Sequence, residues 1–228
     1  MSSAAEKKEE LSINEKIADF IQRNRKGIFT GIILAVILLV VFIAALIIRD
    51  KLTVKAVSTV EELNNRYEAL RLDINDTSRE AEVNALLEEL GTFAAKNSGY
   101  AGVRSYLIMA DMQADMKKWA DAEQTWIKAG EKAAKSYLAP VAYYNAAIAA
   151  EEQDKLPYAI ELYTKSLGLR EDFPGAARAQ FAIGRLEESQ NNHEAAVEAY
   201  RAVINNWPAE TIWTNLAHSK IIYLSNKK

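Results

Sequence analysis

Cysteine is absent from all 228 residues, which excludes disulfides, thiolate metal sites, cysteine nucleophiles and a cysteine-linked lipid anchor. The redox compartment stays open, because such a chain suits either side of a membrane. Proline (4) and glycine (9) are scarce, and no stretch alternates with the two-residue period of a strand, so an all-α chain is expected. The two histidines, His193 and His218, show neither H-E-x-x-H nor any paired-ligand spacing. No G-x-x-x-x-G-K-S/T and no G-x-G-x-x-G motif occurs, which removes the nucleotide-binding classes. Glu151-Glu152 and Glu187-Glu188 fall near helix ends, where solvated faces explain them better than acid and base roles. Asn75-Asp76-Thr77 is a formal glycosylation sequon that reads as chance in an Asn-rich chain. The net charge is -3, with lysines and arginines spread among carboxylates, so there is no basic field for nucleic acid. No enzyme, cofactor, metal, small-molecule substrate or nucleic-acid partner is expected.

What the chain does have is one uninterrupted apolar run, Ile28 to Ile48. At about 1.5 Å per helical residue it spans roughly 30 Å, the thickness of a hydrocarbon core. Only Thr30 and Gly31 within it are neither aliphatic nor aromatic. A secretory signal has an apolar core of only about 7 to 15 residues and a small-residue cleavage site. The run ends instead in Ile43-Ala44-Ala45-Leu46-Ile47-Ile48, so a retained transmembrane anchor contacting the lipid bilayer is expected. Lys16, Arg23, Arg25 and Lys26 precede it, with Lys7 and Lys8 behind them, while Arg49, Lys51 and Lys55 follow. The packed cluster on the N-terminal side favours a cytoplasmic N-terminus and a soluble domain outside the cytoplasm.

Ahead of the anchor, residues 1–11 are polar and expected to be disordered. Ser12 with Glu15 fits a capping box that opens a short amphipathic helix, whose Ile13, Ile17, Phe20 and Ile21 share one face. That face suits the lipid interface, or else the docking of a partner. Gly27 and Gly31 form a G-x-x-x-G, a helix-pairing motif that also occurs often by chance.

After Arg49 the pattern predicts helices over about 54–73, 79–96, 101–116, 119–135, 138–153, 156–169, 174–190, 193–206 and 209–225. Breaks are expected at 73–77, 97–99, Phe173-Pro174-Gly175 and Trp207-Pro208. Three segments repeat. Ala122, Ala159 and Ala196 stand 37 residues apart, and Trp126, Tyr163 and Tyr200 each follow four residues later, one helical turn away on the same face. Twelve residues before each alanine comes another small residue, Ala110, Ala147 or Gly184. This matches the tetratricopeptide pattern, in which small residues let two helices cross closely and the aromatic fills the gap to the next pair. Pro208 stands at the closing-proline position. Tyr106 and Tyr143 hold the first aromatic position, which Gln180 breaks in the third repeat. The spacing predicts a tetratricopeptide-like α-solenoid of helix hairpins: 1–26 as tail, 27–49 as transmembrane anchor, 50–100 as an N-terminal helical pair, 101–208 as three repeats and 209–228 as a capping helix.

The layout resembles the ancillary subunit of the bacterial SecYEG translocon. Three stretches carry the likeness: Ile17-Ala18-Asp19-Phe20-Ile21-Gln22-Arg23-Asn24-Arg25-Lys26-Gly27, Phe93-Ala94-Ala95-Lys96-Asn97 leading through Tyr100, and Lys220-Ile221-Ile222-Tyr223-Leu224-Ser225. The resemblance implies a single-pass inner-membrane protein with its soluble domain in the periplasm. Its implied protein partners are translocon subunits, a membrane-anchored chaperone of the peptidyl-prolyl isomerase class, or secreted clients. Inward-pointing positions of such repeats fall at Arg104, Leu107 and Asp111, at Val141, Tyr144, Asn145 and Ile148, and at Arg178, Phe181 and Arg185. Arg178 and Arg185 suit carboxylates, and Tyr144 and Phe181 suit aromatic anchoring in a protein-binding groove. Two alternatives share the fold: a scaffold of an envelope complex without clients, and a cytoplasm-facing adaptor in which Asn145 and Arg178 clamp a carboxylate.

Overall fold

The computed structural model describes residues 13–134 and 136–226, and among them there are helices, turns and loops but no strand. The helices are α1 (Ile13–Leu70), α2 (Glu80–Lys96), α3 (Gly99–Asp115), α4 (Trp119–Lys132), α5 (Leu138–Glu151), α6 (Leu156–Leu169), α7 (Ala176–Ser189), α8 (His193–Asn206) and α9 (Thr211–Asn226). Two short 3-10 turns, Arg71–Asp73 and Thr77–Arg79, join α1 to α2. Lys7, Lys8 and the capping residue Ser12 lie outside the described residues. The chain divides into two units, Met1–Val54 and Lys55–Lys228.

Within the first unit the expected short helix ahead of the anchor is not separate, because α1 runs unbroken from Ile13. Charges at Arg23, Arg25, Lys26 and Arg49 interrupt the apolar pattern without interrupting the backbone, and the first proline in the chain is Pro140. α1 is the one helix among the described residues long and apolar enough to cross a membrane, and none of its apolar window is buried. Ile13, Ile17, Phe20 and Ile21 are likewise exposed.

The second unit is a run of antiparallel helix pairs. α3 packs on α4, α5 on α6 and α7 on α8, while α4 with α5, α6 with α7 and α8 with α9 join one pair to the next. The last turns of α1 contribute Val60, Leu63, Tyr67 and Leu70 to a core shared with Val83, Leu86 and Leu90 of α2 and with Ile108 and Met112 of α3. The repeat spacing explains the joints. Ala110, Ala147, Ala122, Ala159 and Ala196 are completely buried where the helices cross, and Trp126, Tyr163 and Tyr200 are buried beside them. Gly184 is tighter still, since a Cβ there would stand 2.6 Å from the Tyr200 ring.

The turn inside each pair also repeats. Lys117, Asp154 and Asn191, 37 residues apart, all adopt left-handed backbone with φ of 58°, 57° and 63°. Each ends its helix with the same two hydrogen bonds. The Lys117 and Lys118 amides donate to Ala114 and Gln113, those of Asp154 and Lys155 to Glu151 and Ala150, and those of Asn191 and Asn192 to Glu188 and Glu187. These are Schellman closures, which satisfy carbonyls that a helix end would otherwise leave unpaired. The expected breaks at 97–99 and 207–208 are present. Gly99 takes a φ of 65°, and the Trp207 Nε1–H donates to the Glu171 carbonyl at 2.9 Å, pinning the chain before α9.

Candidate functional site

α5, α7 and α9 bring five of the expected groove residues into one cleft. Tyr144, Ile148, Arg178, Phe181 and Arg185 line it together with Glu151, Glu152, Tyr163, Ala182 and Trp213, around a volume of about 330 Å³. Its floor is aromatic. The Tyr144 ring lies 5.5 Å from that of Tyr163 and 6.0 Å from Phe173, and Phe181 lies 5.2 Å from Tyr200 and 5.5 Å from Trp213. Tyr144 is only 9% exposed, so it offers an edge of its ring and burial pushes its hydroxyl pKa up.

The two arginines differ in what they can do. Arg185 of α7 forms an ion pair with Glu151 of α5, a carboxylate that also accepts a 2.6 Å hydrogen bond from the Tyr163 hydroxyl. Arg178 is exposed, with its guanidinium 5.8 Å from the centre of the Tyr144 ring and 5.9 Å from that of Trp213. Among the described residues it has no carboxylate partner. A guanidinium placed beside two rings retains a fork of N–H donors able to take a carboxylate in a bidentate pair.

Glu151 therefore corrects one expectation, since it bridges two repeats rather than facing solvent. Its counterpart 37 residues on joins the last repeat to the closing helix α9. Glu188 accepts a 2.8 Å hydrogen bond from the Tyr200 hydroxyl and pairs at 2.9 Å with Lys220 of α9. Desolvation by burial, reinforced by these hydrogen bonds to carboxylates, pushes the Tyr163 and Tyr200 hydroxyls far above their ordinary pKa. Both remain neutral donors within their own helix pair, while Arg185 links Glu151 to the next repeat and Lys220 links Glu188 to α9.

The remaining expected residues lie elsewhere. Leu107 is 5% exposed and packs in the central core with Val103, Ala110 and Trp126, so it cannot line a groove. Arg104 donates to the Asn64 side chain at 3.0 Å, and Asp111 accepts from the Trp126 Nε1–H at 3.2 Å. These two share a smaller polar recess with Tyr67, Arg71 and Asp115. Desolvation pushes the Asp111 carboxyl pKa up to about 6, against the opposing pull of Trp126 and Arg104. Val141 borders the central core, and Asn145 is half-buried on the same helix.

Trp213 was expected only as part of the end-covering helix and not in the groove, because it stands outside the repeat register. Its signal was an aromatic in the first turn of a helix otherwise read as an end cover.

No family model matches the chain. It is 30% identical over 195 residues to a TPR repeat-containing protein of Treponema pallidum (strain Nichols), an alignment covering 79% of this chain and 81% of that protein. Solenoids of stacked repeats present extended surfaces to protein partners. With its three helix pairs in a 37-residue register and this relative along most of its length, the chain belongs to the TPR (tetratricopeptide) repeat-containing proteins.

Proposed function

We propose that this is a membrane-anchored interaction module of the secretion apparatus, with residues 27–49 crossing the inner membrane and the repeats gripping a partner segment outside the cytoplasm. The observation that carries the reading is Arg178, a guanidinium beside Tyr144 and Trp213 with no carboxylate partner among the described residues, in a cleft it shares with Phe181. Such a site suits a polypeptide carrying an acidic group beside an apolar one. Arg185 is the weaker candidate of the pair, since Glu151 already neutralises it. Translocon association rests on the resemblance of the segments around Phe20, Phe93 to Tyr100 and Lys220 to Ser225. Those stretches lie outside the three repeats, where a generic array has no reason to share them.

The test is a photoreactive residue placed in living cells at position 178 and, separately, at position 20. The expected outcome is a chaperone or a secreted client captured from 178 and translocon subunits from 20. Capture of division or cell-wall proteins at both positions would replace the translocon reading with that of an envelope scaffold. Protease treatment of intact cells and spheroplasts settles the orientation: digestion of the repeats only after the cytosolic face is opened would favour a cytoplasm-facing adaptor.

A further inference from the structure

The cleft on α5, α7 and α9 carries a second charge besides Arg178. Glu152 caps the end of α5, is exposed and lines the cleft, and among the described residues its carboxylate has neither an ion-pair nor a hydrogen-bond partner. α5 and α7 run alongside each other in one register, since Arg178 approaches Tyr144 and Arg185 pairs with Glu151, both across the same offset in sequence. At 1.5 Å per residue, Arg178 and Glu152 therefore stand about 10–12 Å apart along the cleft. Ile148, Phe181 and Ala182 fall between them, and Arg185 and Glu151 cancel each other's charge. The cleft is positive at one end, apolar along its middle and negative at the other.

The first repeat shows what such ends take when the chain fills them itself. Arg104 stands two repeats before Arg178, and Asp115 stands one repeat before Glu152. Arg104 donates to the Asn64 side-chain oxygen at 3.0 Å, and Asp115 accepts from the Arg71 guanidinium at 2.8 Å. We infer that the cleft takes an extended polypeptide segment with an acidic side chain on Arg178, an apolar one on Phe181 and a basic one on Glu152. The inference rests on the reading of Arg178 given above and adds Glu152 as the residue that selects the far end of the partner. Charge complementarity names the groups, and the dimensions name the conformation. Residues on one face of a strand recur about every 6.6 Å, so an acid, an apolar residue and a base at alternate positions cover about 13 Å, within reach of both ends. A helix about 10–12 Å across would need roughly 1,000 Å³ over that length, against about 330 Å³ in the cleft. A uniformly acidic segment is repelled at Glu152 and a uniformly basic one at Arg178.

The test titrates full-length protein in mild detergent against fluorescent peptides blocked at both termini, so that only side chains carry charge. One is built on Glu-Ser-Leu-Ser-Arg, and the other replaces its base to give Glu-Ser-Leu-Ser-Glu. Wild type should bind the first about two- to fivefold more tightly, the size expected of an exposed charge pair. Glu152→Lys should reverse that order with helical content unchanged, since the side chain it replaces is exposed and makes no contact that holds the fold. Arg178→Glu should weaken both peptides. If Arg178→Glu weakens binding but Glu152→Lys keeps the wild-type preference, the assignment of Glu152 is overturned and the reading of Arg178 stands. Binding of neither peptide, or binding indifferent to Arg178→Glu, would overturn that reading and the inference with it.

Discussion

Glu123 of α4 is a charged residue in the joint between the first and second repeats, with a side chain only 2% exposed. Its carboxylate accepts hydrogen bonds from Lys155 at 2.9 Å and Gln153 at 2.8 Å, both just ahead of α6, and from Gln124 at 3.0 Å. The two ends of the ion pair are unequal, because the Lys155 side chain is 45% exposed. Lys155→Met keeps the apolar stem and removes the charge, leaving a buried carboxylate with only amide donors. Stripping one partner from a fully buried pair costs about 3–5 kcal/mol, and water reaching the exposed lysine end reduces this to about 2–3 kcal/mol. Glu123→Gln is milder. A carbonyl oxygen can still accept from Gln153 and Lys155, exposed Gln124 can turn away, and the freed ammonium is already near water, so the cost is about 1 kcal/mol. In the double variant the two changes should be non-additive by about 1–2 kcal/mol, since no buried charge remains to be stranded. For a domain of this size the single variants should lower Tm by about 5–10 °C and about 2–4 °C respectively. Urea unfolding followed by circular dichroism reads all three variants. A Glu123→Gln loss equal to or larger than that of Lys155→Met, or strict additivity, would refute the reasoning.

Lys117 holds left-handed backbone with a long side chain where its counterparts are Asp154 and Asn191, which tolerate that conformation better. Lys117→Gly should therefore stabilise by about 0.5–1 kcal/mol, and Asn191→Gly by less, in the same unfolding assay. Gly184→Ala places a Cβ 2.6 Å from a Tyr200 ring that is buried and tied through its hydroxyl to Glu188, so a loss of about 1–2 kcal/mol is expected despite the better helix propensity of alanine. Asp111, pushed up to about 6 by burial, holds a proton in the folded chain between about pH 4 and that value, where the unfolded chain has released it. Its contribution to stability therefore falls as pH rises through that window, and Asp111→Asn should flatten that part of the pH–stability curve.

The repeat was legible because its constraint is steric and recurs: three small residues, three alanines and three aromatics in one register leave little else for the chain to build. The breaks at Gly99 and Trp207-Pro208 were legible for the same local reason, that glycine and proline restrict or free the backbone directly. The turns at Lys117, Asp154 and Asn191 gave no such sign, because only their common spacing, and not their chemistry, reveals a shared left-handed conformation. The continuity of α1 was hidden since hydropathy changes at the charged flanks while helix propensity does not. Leu107 and Glu151 were misplaced by the same limitation. A position counted inward along one helix says nothing about how far the neighbouring helix covers it, and a carboxylate at a helix end looks solvated until the next repeat supplies Arg185. Trp213 completes the cleft from outside the repeat and has no counterpart to count from.

The most direct measurement is partner capture by the cleft itself. Full-length wild type and the variant Arg178→Glu with Trp213→Ala would be purified from membranes in mild detergent, and the co-purifying proteins quantified alongside circular dichroism of each preparation. The account predicts that the variant keeps its helical content and loses the partners that wild type retains, while proteins held through the anchor segment stay bound. Retention of every partner at wild-type levels by a folded variant would contradict it.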